Sequence, residues 1–97
     1  MTINHIEFWT KRLLECDANV KIISKAIGKM EVGIKKYGDF DPDLDEREFV
    51  EELLKELYDG INYCLLGTLK DPHKENQYTD LLKQLIPMIH FIEQRLR

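Results

Sequence analysis

The sequence predicts an all-α fold: a chain of three helices, the first of them long, packed as an oligomeric helical bundle. Three observations carry this expectation. Apolar residues recur at alternating steps of three and four from Ile6 to Tyr37. A second stretch, Asp45–Tyr63 (DEREFVEELLKELYDGINY), is apolar on one side and acidic on the other. A third apolar pattern runs from Tyr78 to Leu96. Steps of three and four follow the helical period and not the alternation of a strand. The chain has 97 residues, 43% hydrophobic and 33% charged. That is enough apolar content to fold as one domain spanning 1–97. It is also small enough to leave much apolar surface exposed, which oligomerisation would cover.

The first helix opens at Asn4, whose side chain with Glu7 three residues on forms a capping box. Its seam is Ile6, Trp9, Leu13, Cys16, Val20, Ile23, Ile27, Met30, Ile34 and Tyr37. A period near 3.5 suits a face that packs on other helices. Run continuously over residues 5–37, the helix would be ~50 Å long at 1.5 Å per residue, against a diameter of roughly 30 Å for a compact domain of this size. It therefore either overhangs onto a second subunit or breaks, with Gly28 and Gly33 as the weak points.

Gly38 suits a C-cap at positive φ, and the proline of Asp41-Pro42 disfavours helix at Asp41. Asp39, Asp41, Asp43 and Asp45 fill the following loop. The calcium-loop pattern is not met, because Leu44 stands where it requires glycine. Turn formation and capping are the expected roles.

Asp45 and Glu48 form a second capping box. The helix they open carries Phe49, Val50, Leu53, Leu54, Leu57, Ile61, Cys64 and Leu65 on one side, and Gly67 marks its expected end. Asp71-Pro72 reads as a cap followed by proline in the first turn. The third helix then carries Tyr78, Leu81, Leu82, Leu85, Met88, Ile89, Ile92 and Leu96, with Pro87 kinking it without ending it.

Several function classes are excluded by composition. A net charge of −4, with no extended Lys/Arg cluster, argues against nucleic-acid binding, which needs a basic patch. No apolar run approaches the roughly 20 residues that span a bilayer. The start MTINHIEFWTKR lacks the basic-then-apolar order of a secretory signal. Cys16 and Cys64 sit singly in apolar patterns, as buried reduced thiols of a cytoplasmic protein do. His5, His73 and His90 are not at zinc-ligand spacing from any other His, Cys or acid. Trp9 reads as a core or interface anchor.

The feature with chemical content is an acidic line. Glu48, Glu52, Glu56 and Asp59 are spaced four, four and three residues apart, which sets them along one side of a helix. Like charges one turn apart repel by about 0.2–0.5 kcal/mol per pair. A magnesium ion, which takes hard oxygen ligands, would relieve that repulsion. The plain alternative is a solvated acidic face on a surface helix.

The run Arg47–Tyr63, with Glu56-Leu57-Tyr58-Asp59 as an ExxD motif and Tyr37-Gly38 upstream, resembles the small MazG-like nucleotide pyrophosphohydrolases, particularly short phage-type members. The likeness covers roughly residues 36–66. It implies an all-α domain that binds Mg2+ through paired acidic motifs and hydrolyses a nucleoside triphosphate to a monophosphate and pyrophosphate. On this resemblance Glu52, Glu56 and Asp59 would hold the metal, and Glu48 would serve as a base or further ligand. Lys36 would contact phosphate, with an ordinary solvated lysine as the alternative; Tyr37 or Tyr63 would stack on a base, though both also fit apolar seams; and Asn62 would be a polar contact. Lys70 is a second candidate for phosphate. The homo-oligomer would be a dimer or tetramer.

The sequence departs from the family in one respect. No separate ExxE lies on the first helix, where Glu15 is followed by Ala18 and Glu31 by Ile34, while Glu48-Phe49-Val50-Glu51 fits the letters on the same helix as the ExxD. A reduced site, one completed by another subunit, and an inactive relative all fit that departure. A non-enzymatic helical oligomerisation or interaction protein is the alternative from a different class.

Overall fold

A computed structural model describes residues 4–97. Four α-helices and one short 3-10 turn make up its regular structure, and no strand occurs among the described residues. The all-α expectation is met; the count of three is not. The chain divides into two compact units, Met1–Glu46 and Arg47–Arg97.

In the first unit, α1 spans His5–Glu15 and α2 spans Val20–Tyr37. Asn4 caps α1 as expected, its Oδ1 accepting from the Glu7 amide at 3.1 Å. The long helix breaks at residues 16–19, not at Gly28 or Gly33, both of which lie inside α2. The cause is local. Asp17 adopts φ of 62°, a left-handed conformation that aspartate tolerates better than most residues. The Ala18 amide donates to the Leu13 carbonyl at 2.9 Å, and the Asp17 amide to Leu14 at 3.1 Å. These are the two bonds of a Schellman stop. Asn19 then starts α2, its Oδ1 accepting from the Ile22 amide at 2.9 Å. A helix-interior glycine costs ~1 kcal/mol but leaves the hydrogen-bond ladder intact, whereas Asp17-Ala18-Asn19 supplies both a stop and a start. Asn19→Ala is expected to cost about 1 kcal/mol, read as a lower urea midpoint with an unchanged slope.

Packing within this unit is light. Ile23 is its one buried residue among those described, while Trp9, Leu13, Ile27, Met30 and Ile34 are half-buried. Trp9 meets the His5 ring at a tilt and the Phe8 ring edge-on, with ring centroids 5.9 and 5.7 Å away. Cys16, expected to be buried, is exposed because it falls at the end of α1. Val20 and Tyr37, also assigned to the seam, are 81% and 65% exposed. Gly38 ends α2 with φ of 84°, as its position suggested. The loop that follows is held by Asp41, whose Oδ1 accepts from the Asp43 amide at 2.9 Å and whose carbonyl accepts from the Leu44 and Asp45 amides at 3.1 and 3.0 Å. That is turn chemistry, as expected of these aspartates.

The second unit is a helical hairpin. α3 spans Phe49–Lys70 and α4 spans Glu75–Arg95, joined by Asp71 and a 3-10 turn at Pro72–Lys74. The second capping box does not form. The amide of Asp45 is committed to the Asp41 turn, so the helix starts later, with Glu48 at the N-cap and no side-chain cap bond there. Gly67 does not end α3. A Cβ on it would lie 2.4 Å from Cζ of Tyr78, so this glycine admits the ring of α4 against the backbone of α3. Pro87 is accommodated inside α4; it lies on the exposed side, where the carbonyl it leaves unbonded meets water.

Leu54, Leu57, Ile89 and Ile92 are the buried core of the hairpin, with Val50, Ile61 and Leu85 packed around it. Cys64 is buried farther along α3, as expected. Phe49, Leu53 and Leu65, assigned to the same apolar side, stay about half exposed. The helical stripe is wider than one neighbouring helix can cover.

Candidate functional site

Within α3, the direction of the acids is set by the direction of the core. Leu54, Leu57 and Cys64 are buried, and at 100° per residue the opposite side of the helix carries Glu52, Glu56, Asp59 and Tyr63. All four side chains are exposed. Three carboxylates and an aromatic ring thus follow one another along one exposed face of α3. Glu48 is the N-cap residue that precedes the first helical residue and sits at the mouth of α3. Its carbonyl accepts from the Glu52 amide at 3.0 Å, which ties it to the first turn.

Charge compensation along the line is uneven. Lys55 Nζ reaches Glu52 Oε1 at 3.4 Å, with both side chains more than half exposed, an arrangement worth well under 1 kcal/mol. Among the described residues, no cation pairs with Glu56 or Asp59. No group of three or more His, Cys, Asp or Glu side chains is gathered around one metal position among the described residues. One chain therefore offers a divalent ion successive pairs of carboxylates, a turn apart, and not an enclosed cage.

Beside the line is a shallow depression of about 270 Å3, lined by Glu51, Leu54, Lys55, Tyr58, Asp59 and Arg97. It combines one acid of the line with two cations and a phenol. Arg97 is held there by Glu51 (3.1 Å) and by Glu93 on α4 (2.9 Å). Lys36 and Lys70, the phosphate contacts expected from the sequence, do not line this depression, whereas Lys55 and Arg97 do. Lys55 was legible as a helical neighbour of Glu52. Arg97 was not, because only the antiparallel return of α4 brings it to the first turns of α3.

Of the other sequence candidates, Asn62 and Tyr63 are exposed on α3. Tyr63, at 71% exposure, packs into no apolar seam and extends the acidic face by one turn. Lys36 and Tyr37 belong to the first unit, at the end of α2, where Lys36 Nζ lies 5.1 Å from the centre of the Tyr37 ring. No helix among the described residues is long and apolar enough to cross a membrane. No protein-family model matches the chain, and neither the curated proteins nor the solved structures give a significant match.

Proposed function

We propose that the chain is a Mg2+-dependent, MazG-like nucleoside triphosphate pyrophosphohydrolase acting as a homo-oligomer. One observation supports this reading above the others. Glu56 and Asp59, the two acids of the ExxD motif, lie on the exposed face of α3 without a cationic partner among the described residues, next to Glu52 above and Tyr63 below.

The donor set fits the ion. Magnesium keeps several waters and is held by one or two carboxylates plus substrate phosphates, so it does not require the three-acid cage that a single chain lacks. Glu56 and Asp59 would hold it, with Glu52 as a further ligand. Bound Mg2+ supplies neutralisation of phosphate charge and orientation of the attacking water. Lys55 and Arg97, on the depression beside Asp59, bring positive charge towards the phosphates. Glu48 at the mouth of α3 accepts the proton of the water that attacks the α-phosphorus. The bond between the α-phosphorus and the bridging oxygen breaks, and pyrophosphate leaves. Tyr63 offers a ring for stacking and Asn62 a hydrogen-bonding edge for the nucleoside.

The test is a panel of ribo- and deoxyribonucleoside triphosphates incubated with the protein and Mg2+, assayed for pyrophosphate. Release that requires Mg2+ is expected for at least one of them. No release from any, together with no Mg2+-dependent thermal shift, overturns the proposal. A non-enzymatic interaction protein is the second reading. It is favoured by the amount of apolar surface that the α3–α4 hairpin leaves uncovered.

A further inference from the structure

The outward face of α2 carries basic residues and no acid. At 100° per residue, Lys21, Ile22, Lys25, Lys29, Val32 and Lys36 fall within one arc of about 100°. The buried Ile23 and the half-buried Ile27, Met30 and Ile34 lie on the other side, where α2 packs on α1. The four lysines are dispersed along the sequence, and the helix gathers them into a row ~22 Å long at 1.5 Å per residue. All six residues of the arc are exposed, Ile22 by 53% and Val32 by 66%. The one acid of α2, Glu31, lies off the row. We propose that this face of α2 docks on the surface of an anionic phospholipid bilayer, with the helix lying along the membrane plane and not crossing it. The inference goes beyond the enzyme reading and does not rest on it.

Charge argues for an anionic surface. Lys21, Lys25 and Lys29 have no ion pair among the described residues. Lys36 lies 5.1 Å from the centre of the Tyr37 ring, a contact that brings no opposite charge. Like charges one turn apart on a helix repel, and a layer of anionic headgroups relieves that repulsion along the whole row. Each lysine held near such a layer raises binding about fivefold, so a row of four raises it several hundred-fold. The attraction reaches only about 8–10 Å at physiological salt. The local balance of α2, five lysines against one glutamate, therefore governs docking, and the net charge of −4 over the chain does not.

Shape and side-chain type favour a bilayer over a nucleic acid. A straight row meets a plane along its full length, whereas the phosphates of a duplex wind away from it. The face has no arginine for bidentate phosphate contact and no aromatic ring on which bases could stack. Ile22 and Val32 would meet no apolar partner on a phosphate backbone. Among lipid headgroups they reach towards the acyl boundary, while the lysine stems extend their charges to the phosphates. Two aliphatic side chains give shallow insertion, so docking is reversible and depends on lipid charge.

The full-length protein tests this by co-sedimentation with vesicles. Vesicles of equal parts phosphatidylserine and phosphatidylcholine are expected to carry it down, and vesicles of phosphatidylcholine alone are not. Added salt should release it. Lys25→Gln should lower partitioning about fivefold, and Lys21→Gln, Lys25→Gln and Lys29→Gln together on the order of 100-fold. Val32→Gln should lower it a few-fold through lost apolar contact. Lys83→Gln, on α4, is the control and should leave it unchanged. Far-UV circular dichroism should be the same throughout, because all these side chains are exposed. No binding to the anionic vesicles, or binding that ignores the triple variant, overturns the proposal. Binding of single-stranded or duplex DNA through the same lysines, with none to vesicles, also overturns it and assigns the face to nucleic acid. Pyrophosphate release is scored separately, so a failed docking face and a failed enzyme are told apart.

Discussion

Leu54→Ala is expected to lower the stability of the hairpin by about 3 kcal/mol, within the ~2–5 kcal/mol range for buried leucine truncations. Leu54 is the least exposed core residue among those described, at 3%, and it sits in a cluster whose other buried members are Leu57, Ile89 and Ile92. Removing the isopropyl end of its side chain takes away apolar burial and leaves a void that two helices with one shared face cannot close by a small shift. Domains have only about 5–15 kcal/mol in total, so the loss is a large fraction. It would appear as a fall in the thermal midpoint on the order of 10 °C or more for a domain of this size. Leu66→Ala is the matched control. Leu66 is on the same helix but 59% exposed, and its truncation should change stability by no more than about 0.5 kcal/mol. Equal effects at the two positions, measured by urea and thermal unfolding, would show that the hairpin core is not where Leu54 places it.

The contrast between these two leucines also explains which parts of the fold were legible from residues alone. Period marks which residues share a face, so α3 and α4 could be read from the spacing of Leu54, Leu57, Ile61, Leu85, Ile89 and Ile92. Period does not say how wide a face one neighbour covers. Phe49, Leu53 and Leu65 fit the same stripe and remain half exposed. The break after α1 was hidden for a related reason. Cys16 and Val20 keep the step of four across it, while the signal that breaks it is conformational: an aspartate at positive φ followed by an asparagine cap. Asp17-Ala18-Asn19 could have been read as a stop and a start. Gly67 shows the opposite error. Glycine near a helix end suggests a cap, but here it makes room for Tyr78, a contact set by a residue on another helix. In the candidate site, the line Glu52, Glu56, Asp59 was fully legible because it lies on one helix. Glu48 and Arg97 were misjudged or missed because their positions depend on where α3 begins and where α4 returns.

Glu56→Gln is the substitution with the largest expected effect on function. It keeps the size and shape of the side chain and removes one negative charge from the middle of the acidic line. On the enzyme reading, Mg2+-dependent pyrophosphate release should fall at least about 100-fold, the scale on which loss of one group stabilising transition-state charge is felt. The more telling signature is in stability. Glu52 and Glu56 are four residues apart on a helix, where like charges cost about 0.2–0.5 kcal/mol. Without Mg2+ the glutamine variant should therefore be slightly more stable than the wild type. Adding Mg2+ reverses the order. A ligand that binds only the folded chain stabilises it by RT ln(1 + [L]/Kd), ~2.7 kcal/mol at one hundred times Kd, and that gain belongs to the protein with the intact ligand. The stability curves of the two proteins should cross as Mg2+ is raised, while Glu31→Gln, on α2, should track the wild type throughout. A solvated acidic face gives no crossing. Screening by any salt relieves its repulsion in proportion to ionic strength, so Na+ at matched ionic strength would act as Mg2+ does. A crossing specific to Mg2+ separates a metal-binding helix from a merely acidic one, whether or not a nucleotide that the protein hydrolyses has been found.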